Sequence, residues 1–134
     1  FIPFRAGMEA GAEVVMVGHI ALPAVTGEDT PACLSREIAT GLLREQLGFE
    51  GLAVTDSLSM QAITDAYTPA ETAVLAVQAG MDLLLMPEDL EGAVEGILDA
   101  VESGQLSRAR IDESVMRILS VKLEQGIISP AQGE

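Results

Sequence analysis

Aromatic side chains are nearly missing from this 134-residue chain, which has three Phe, one Tyr and no Trp. Any core must therefore be assembled from Leu, Val, Ile, Ala and Met. Positive charge is also scarce, with 7 Lys and Arg against 21 Asp and Glu and a formal net charge of −14. Phosphate backbones and anionic lipid surfaces would be repelled, so nucleic acid and membrane are excluded as partners. The single cysteine, Cys33, cannot form an internal disulfide, and no Cys/His cluster has metal-ligand spacing, so no metal or cofactor is expected. Cys33 reads as a small loop residue.

Long apolar runs are lacking as well: stretches such as Met81 to Met86 are far too short to cross a bilayer. No basic leader followed by an apolar segment opens the chain, and the expected address is cytoplasmic. The chain begins Phe1-Ile2-Pro3-Phe4 without a methionine, which is expected of a piece of a larger protein. Neither G-x-G-x-x-G nor G-x-x-x-x-G-K-[ST] occurs, which weakens dinucleotide and nucleotide binding, and no G-x-S-x-G supports a serine hydrolase.

What is present is 49% apolar residues in a pattern of alternating strands and helices. Val14 to Ile20, Leu52 to Thr55 and Asp82 to Met86 are apolar almost throughout, as in parallel strands covered on both faces. Pro3 to Ala10 predicts a short helix closed by Gly11. Ser35 is a candidate N-cap for a helix with Ile38, Leu42, Leu43 and Leu47 on one face, stopped by Gly48. Thr68-Pro69-Ala70-Glu71 has the form of a capping box with proline at the first helical position, and Gly80 ends that helix. Leu90, Val94, Ile97, Leu98 and Val101 form the stripe of another helix ending at Gly104. Val115, Ile118, Leu119 and Leu123 mark a last one from Asp112 to Gly126, before a tail, Ser129 to Glu134, expected to fray.

The order α-β-α-β-α-β-α-α implies a parallel α/β sheet, either small and open or part of a (β/α)8 barrel. A whole barrel takes about 250 residues, so under the second reading residues 1–134 are a C-terminal segment of about three βα units. Both architectures bind ligands at the carboxyl ends of their strands. Asp56, His19 and the Met86-Pro87-Glu88-Asp89 turn fall there. Asp56 can be a turn or cap acid, a cation ligand, or a nucleophile or base, and a second ligand at close spacing is missing for a metal. His19 can be a hydrogen-bonded loop histidine or a neighbour of substrate, since Gly18 permits close backbone approach. Glu88 and Asp89 are accounted for by the start of a helix. Met60 can be packing or pocket wall.

Pro3-Phe4-Arg5-Ala6, Glu9-Ala10-Gly11-Ala12, Val15-Met16-Val17-Gly18-His19, Leu42 to Phe49, Val54 to Met60, Ala79-Gly80-Met81-Asp82 and Arg110 to Val115 together resemble family 3 glycoside hydrolases. The nearest branch is the β-N-acetylhexosaminidase type, and the likeness covers nearly the whole chain in order. It implies a (β/α)8 barrel of which this is the C-terminal portion, with the three strands as its sixth to eighth. It implies Asp56 as the nucleophile of a two-step retaining hydrolysis, with His19 and Met60 at the sugar-binding mouth. A second aspartate usual beside the nucleophile is Ser57 here. The acid/base of that branch, a histidine on a loop in an earlier part of the barrel, has no counterpart in these residues. The isolated chain is therefore expected to be inactive and to self-associate through its unpaired sheet edges. A β-glucosidase of the same family is the alternative enzyme, and a complete non-catalytic α/β binding domain is the alternative of another class.

Overall fold

The computed structural model describes residues 1–129; the tail expected to fray lies outside them except for Ser129. Helix α1 (Ile2–Glu9) leads into strand β1 (Val14–Val17). A short helix α2 (Pro23–Thr26), a 3-10 turn (Ala32–Leu34) and a π-helix (Glu37–Gln46) return the chain to strand β2 (Leu52–Thr55). Helices α3 (Gln61–Thr64), α4 (Pro69–Ala79), α5 (Leu90–Glu102) and α6 (Arg108–Glu124) follow.

β1 and β2 are parallel and in register, with Val14 beside Leu52 and Val17 beside Thr55. The first strand is shorter than expected, ending at Val17 rather than Ile20, because the chain turns to run beside Pro31 through the Ala21–Pro31 bridge. The third expected strand, Asp82 to Met86, is not a full strand. It joins β2 in parallel through one bridge, Val54 to Leu83, with Leu83 N donating to Ala53 O at 3.1 Å and Thr55 N to Leu83 O at 3.0 Å. Beyond that point the Thr55 hydroxyl replaces the backbone ladder, accepting Leu85 N–H at 2.9 Å. Met86 then takes a left-handed φ of 49°, which ends the extended run.

Coverage on both faces also fails for β1: Val14 and Met16 are exposed, while Val17 is buried against the helical layer. Gly51 shows how closely the segments approach, since a Cβ there would collide with the Glu13 carbonyl oxygen. The main core lies between the sheet, the 3-10 turn, the π-helix and α4, around Cys33, Ala39, Ala53, Ile63 and Met81. A smaller cluster of Val74, Val77, Ala100 and Leu106 joins α4 to α5 and the turn before α6.

The helix after β1 carries the expected apolar residues but winds differently. Leu47 N donates to Leu42 O, five residues back, so Ile38 stacks over Leu43 and both are buried. Ser35 does not cap this helix with its side chain; it is buried, and its carbonyl accepts Ile38 N–H and Ala39 N–H. The capping box at α4 is formed, with Thr68 Oγ1 accepting Glu71 N–H at 3.3 Å and the Glu71 carboxylate accepting Thr68 N–H at 2.9 Å. Gly48, Gly80 and Gly104 all take left-handed φ at the expected stops. Asp89 caps α5, its carboxylate accepting Gly92 N–H at 3.1 Å. The stripe on α5 is only half used: Ile97 and Val101 pack inward, while Leu90, Val94 and Leu98 stay exposed. α6 starts one turn earlier than expected, capped by Ser107, and its Val115, Leu119 and Leu123 are exposed as well.

Candidate active site

Asp56 is the first residue beyond β2, and its N–H continues the ladder by donating to Val17 O at 3.1 Å. The turn that follows is anchored from the third extended segment, because Leu58 N–H donates to Leu85 O at 2.9 Å. The half-buried carboxylate is thus held on a rigid strand end rather than a free loop. Its Oδ1 accepts Ser57 N–H at 2.7 Å. Oδ2 has no hydrogen-bond partner among the described residues, which leaves one oxygen open to the outside.

His19 reaches the same turn from the neighbouring strand end. Its Nε2 lies 2.8 Å from Ser57 O and its Nδ1 3.2 Å from Cys33 Sγ. A carbonyl only accepts, so Nε2 carries the proton and Nδ1 is left to accept from the thiol. Cys33 is fully buried in the 3-10 turn. Burial pushes its thiol up to about 12, a backbone hydrogen bond partly offsets this, and the nearby Asp56 charge adds to the rise. The thiol is thus a proton donor at neutral pH rather than a nucleophile.

The structure brings Asp56, His19, Ser57 and Cys33 into one connected group. The Met60 side chain stands apart, exposed at the N-terminus of α3, while its backbone N–H joins the group by donating to Ser57 O at 3.2 Å. Ser57 makes its contact to Asp56 through the backbone, and its hydroxyl pairs with Ser59 Oγ at 2.9 Å instead. Glu88 and Asp89 belong to the start of α5 and contribute nothing to this group. Cys33 escapes a reading of the sequence because 14 residues separate it from His19 and no local spacing marks the pair. No group of three His, Cys, Asp or Glu side chains among the described residues is placed to hold a metal ion.

A second polar group lies toward the opposite ends of the strands. Asp82 is buried, and its Oδ2 accepts Ala53 N–H at 3.0 Å and pairs with Arg44 at 2.5 Å. Its Oδ1 accepts Ser114 Oγ at 2.7 Å and Arg117 Nη1 at 3.1 Å, with Arg110 at 3.7 Å. Burial lowers the Arg44 and Arg110 guanidiniums from their ordinary value, and Asp82 partly restores them. This group ties β2 to the π-helix and α6 at the amino-terminal side of the sheet, where a barrel keeps stability rather than chemistry. The sequence marks Asp82 as the start of a strand and as part of the Ala79-Gly80-Met81-Asp82 likeness, with no role attached to it.

Residues 1–121 match the family model described as the glycosyl hydrolase family 3 N-terminal domain. The chain is 34% identical over 145 residues to a β-N-acetylglucosaminidase/β-glucosidase of Cellulomonas fimi, covering 98% of this chain and 26% of that protein. It is 33% identical to β-hexosaminidase A of Pseudoalteromonas piscicida, covering 88% of this chain and 23% of the relative. Its fold superposes with a TM-score of 0.90 and 43% identity on a family 3 β-N-acetylglucosaminidase from Paenibacillus sp. str. FPU-7, over 98% of this chain and 26% of that one. The chain therefore spans about a quarter of the length of these relatives.

Proposed function

Because the chain belongs to glycosyl hydrolase family 3, with the α/β architecture of part of its (β/α)8 barrel, we propose that it supplies the nucleophile of a retaining β-N-acetylglucosaminidase. Asp56 is that nucleophile. The observation that supports this role is its placement at a strand end with Oδ1 fixed by Ser57 N–H and Oδ2 unpartnered. In the first step Oδ2 forms a bond to the anomeric carbon as the bond from that carbon to the leaving oxygen breaks, and a proton donor outside this chain protonates that oxygen. In the second step water displaces the aspartate and releases the sugar with the same anomeric configuration. His19 and Met60 stand at the mouth of the site, and the substrate is a carbohydrate ending in a β-linked amino sugar.

The proposal has a direct test in the protein that carries this chain. Turnover of an aryl β-N-acetylglucosaminide is expected to fall by about 10⁴-fold or more in Asp56→Ala, as when a nucleophile is removed from a catalytic unit. A 2-fluoro glycoside is expected to leave a covalent adduct on the peptide containing Asp56. Full activity in Asp56→Ala, or an adduct on another carboxylate, overturns the assignment. The 134-residue chain alone is expected to show no turnover.

Glucosidase activity is the second reading, favoured by the double name of the Cellulomonas fimi relative and by the likeness to a β-glucoside phosphorylase, with a TM-score of 0.84. The ratio of rates on aryl β-glucoside and aryl β-N-acetylglucosaminide separates the two. No helix among the described residues is long and apolar enough to cross a membrane. A cytoplasmic address is part of the proposal, and one relative is named as periplasmic. Recovery of the protein in a periplasmic fraction overturns that address.

A further inference from the structure

His19 has both ring nitrogens engaged within the protein, which is an unexpected arrangement for a side chain at a sugar-binding mouth. Nε2–H donates to Ser57 O at 2.8 Å, and the same carbonyl accepts Met60 N–H at 3.2 Å. A carbonyl oxygen has two lone pairs, so these bonds saturate it. On the other side of the same residue, Ser57 N–H donates to Asp56 Oδ1 at 2.7 Å. The two peptide planes that flank Ser57 are therefore fixed by different partners, one by His19, Met60 and the Leu58 N–H bond to Leu85 O, the other by the carboxylate itself.

Cys33 completes the arrangement from below. Its N–H donates to Gly18 O at 3.2 Å, so the thiol is pinned beside the residue that precedes His19. The side chain is wholly buried, and Nδ1 of His19 at 3.2 Å is its hydrogen-bond acceptor. A thiol in that position donates, and a ring that accepts at Nδ1 must carry its proton at Nε2.

We propose that His19 is a positioning residue for Asp56: it fixes the Ser57 turn through Nε2–H, and the Cys33 thiol holds it in that tautomer. The consequence for hydrolysis rests on the reading of Asp56 as nucleophile, whereas the tautomer does not. With the turn fixed, Oδ1 stays on Ser57 N–H and Oδ2 keeps one direction of attack. Loss of the His19 bond leaves the peptide plane between Ser57 and Leu58 to its bonds with Met60 N–H and Leu85 O, which loosens the turn that aims the carboxylate.

The test uses the whole protein that carries this chain, labelled with 15N-histidine, with the His19 signals identified by their loss in His19→Gln. The expected spectrum at neutral pH has a protonated Nε2 and an unprotonated Nδ1 shifted upfield by its hydrogen bond. In Cys33→Ala the Nδ1 signal is expected to move downfield, and in Cys33→Ser to move less. A protonated Nδ1, or an Nδ1 signal indifferent to Cys33→Ala, overturns the relay. In kinetics on the aryl glycoside, His19→Leu is expected to lower kcat by about 10- to 100-fold with KM little changed, the scale for a misplaced reacting group. His19→Gln, whose amide can still donate to Ser57 O, is expected to recover part of that loss. A raised KM with kcat unchanged means that His19 binds the sugar directly and overturns the positioning role. An active Asp56→Ala with the expected tautomer intact would instead indict the nucleophile assignment alone.

Discussion

Asp56 and Ser57 illustrate how a backbone contact can make a side-chain identity matter less. The acid is held by the amide of residue 57, so a serine in place of an aspartate leaves its hydrogen bond untouched. Cys33, by contrast, matters for its side chain and for its burial. Its thiol is raised from 9.0 to about 12 by burial first, so the folded state resists forming the thiolate. Such a group adds stability that is fully present below the unfolded value of 9.0 and is lost as pH rises toward about 12. Melting temperature is expected to decline through that window, and Cys33→Ser, which has no titrating thiol, is expected to flatten the decline. A thiol reagent at neutral pH is expected to leave the native chain unmodified and to label one site after denaturation; rapid labelling of the native chain would contradict the burial.

Among the helices, α4 has the best-defined start. Thr68 and Glu71 exchange hydrogen bonds across its first turn, and Pro69 occupies the position where no N–H is needed. Thr68→Ala is expected to lower stability by about 1 kcal/mol in denaturant titration. The bonds from Thr68 N–H and from its hydroxyl hold the Glu71 carboxyl below its ordinary range. A depressed acid contributes stability above its unfolded value, and that contribution disappears as pH falls through the folded one. Glu71→Gln is therefore expected to weaken the acid-side loss of stability, and an unchanged acid limb would remove Glu71 from that account. The π-helix offers the opposite lesson. Its apolar residues recur at a spacing that suits an α-helix, yet the bond from Leu47 N to Leu42 O shows a wider winding that only packing can select.

Across the molecule, the proposed nucleophile and a buried ion cluster lie toward opposite ends of β2. Asp82 draws Arg44, Arg110 and Arg117 together beneath β2 and accepts the N–H of Ala53, three residues before Asp56. Asp82→Ala leaves three guanidiniums without their shared counter-ion, and a loss of about 3–5 kcal/mol is expected from such a broken buried pair. Equilibrium unfolding measures it, and a loss near zero would show that solvent replaces the carboxylate. The opposite problem is surface. Met16 is 55% exposed on the open face of β1, and Leu90, Val94 and Leu98 line α5 without cover. The outer edge of β1 has no strand beside it among the described residues. A closed, self-sufficient binding domain would hide both features, so the exposed edge and face tell against that alternative. The isolated chain is expected to self-associate at micromolar concentration, and a monomer by light scattering would count against this.

The first two strands and the longer helices in their order, the capping box at Thr68, the glycine stops and the placing of Asp56 at a strand end were legible from the residues in order. Each depends on neighbours within a few positions, where hydrogen-bond geometry and side-chain periodicity act directly. The resemblance in motif order brought Asp56 from three open roles to one. What local spacing could not supply is every contact between distant segments: Cys33 against His19, His19 against the Ser57 carbonyl, three arginines on Asp82, and the single bridge at Leu83. The length of β1 and the one-sided cover of the sheet belong to the same class. These depend on which segments meet in space, and only the folded backbone brings residues 14, 29 or 38 positions apart within hydrogen-bond reach.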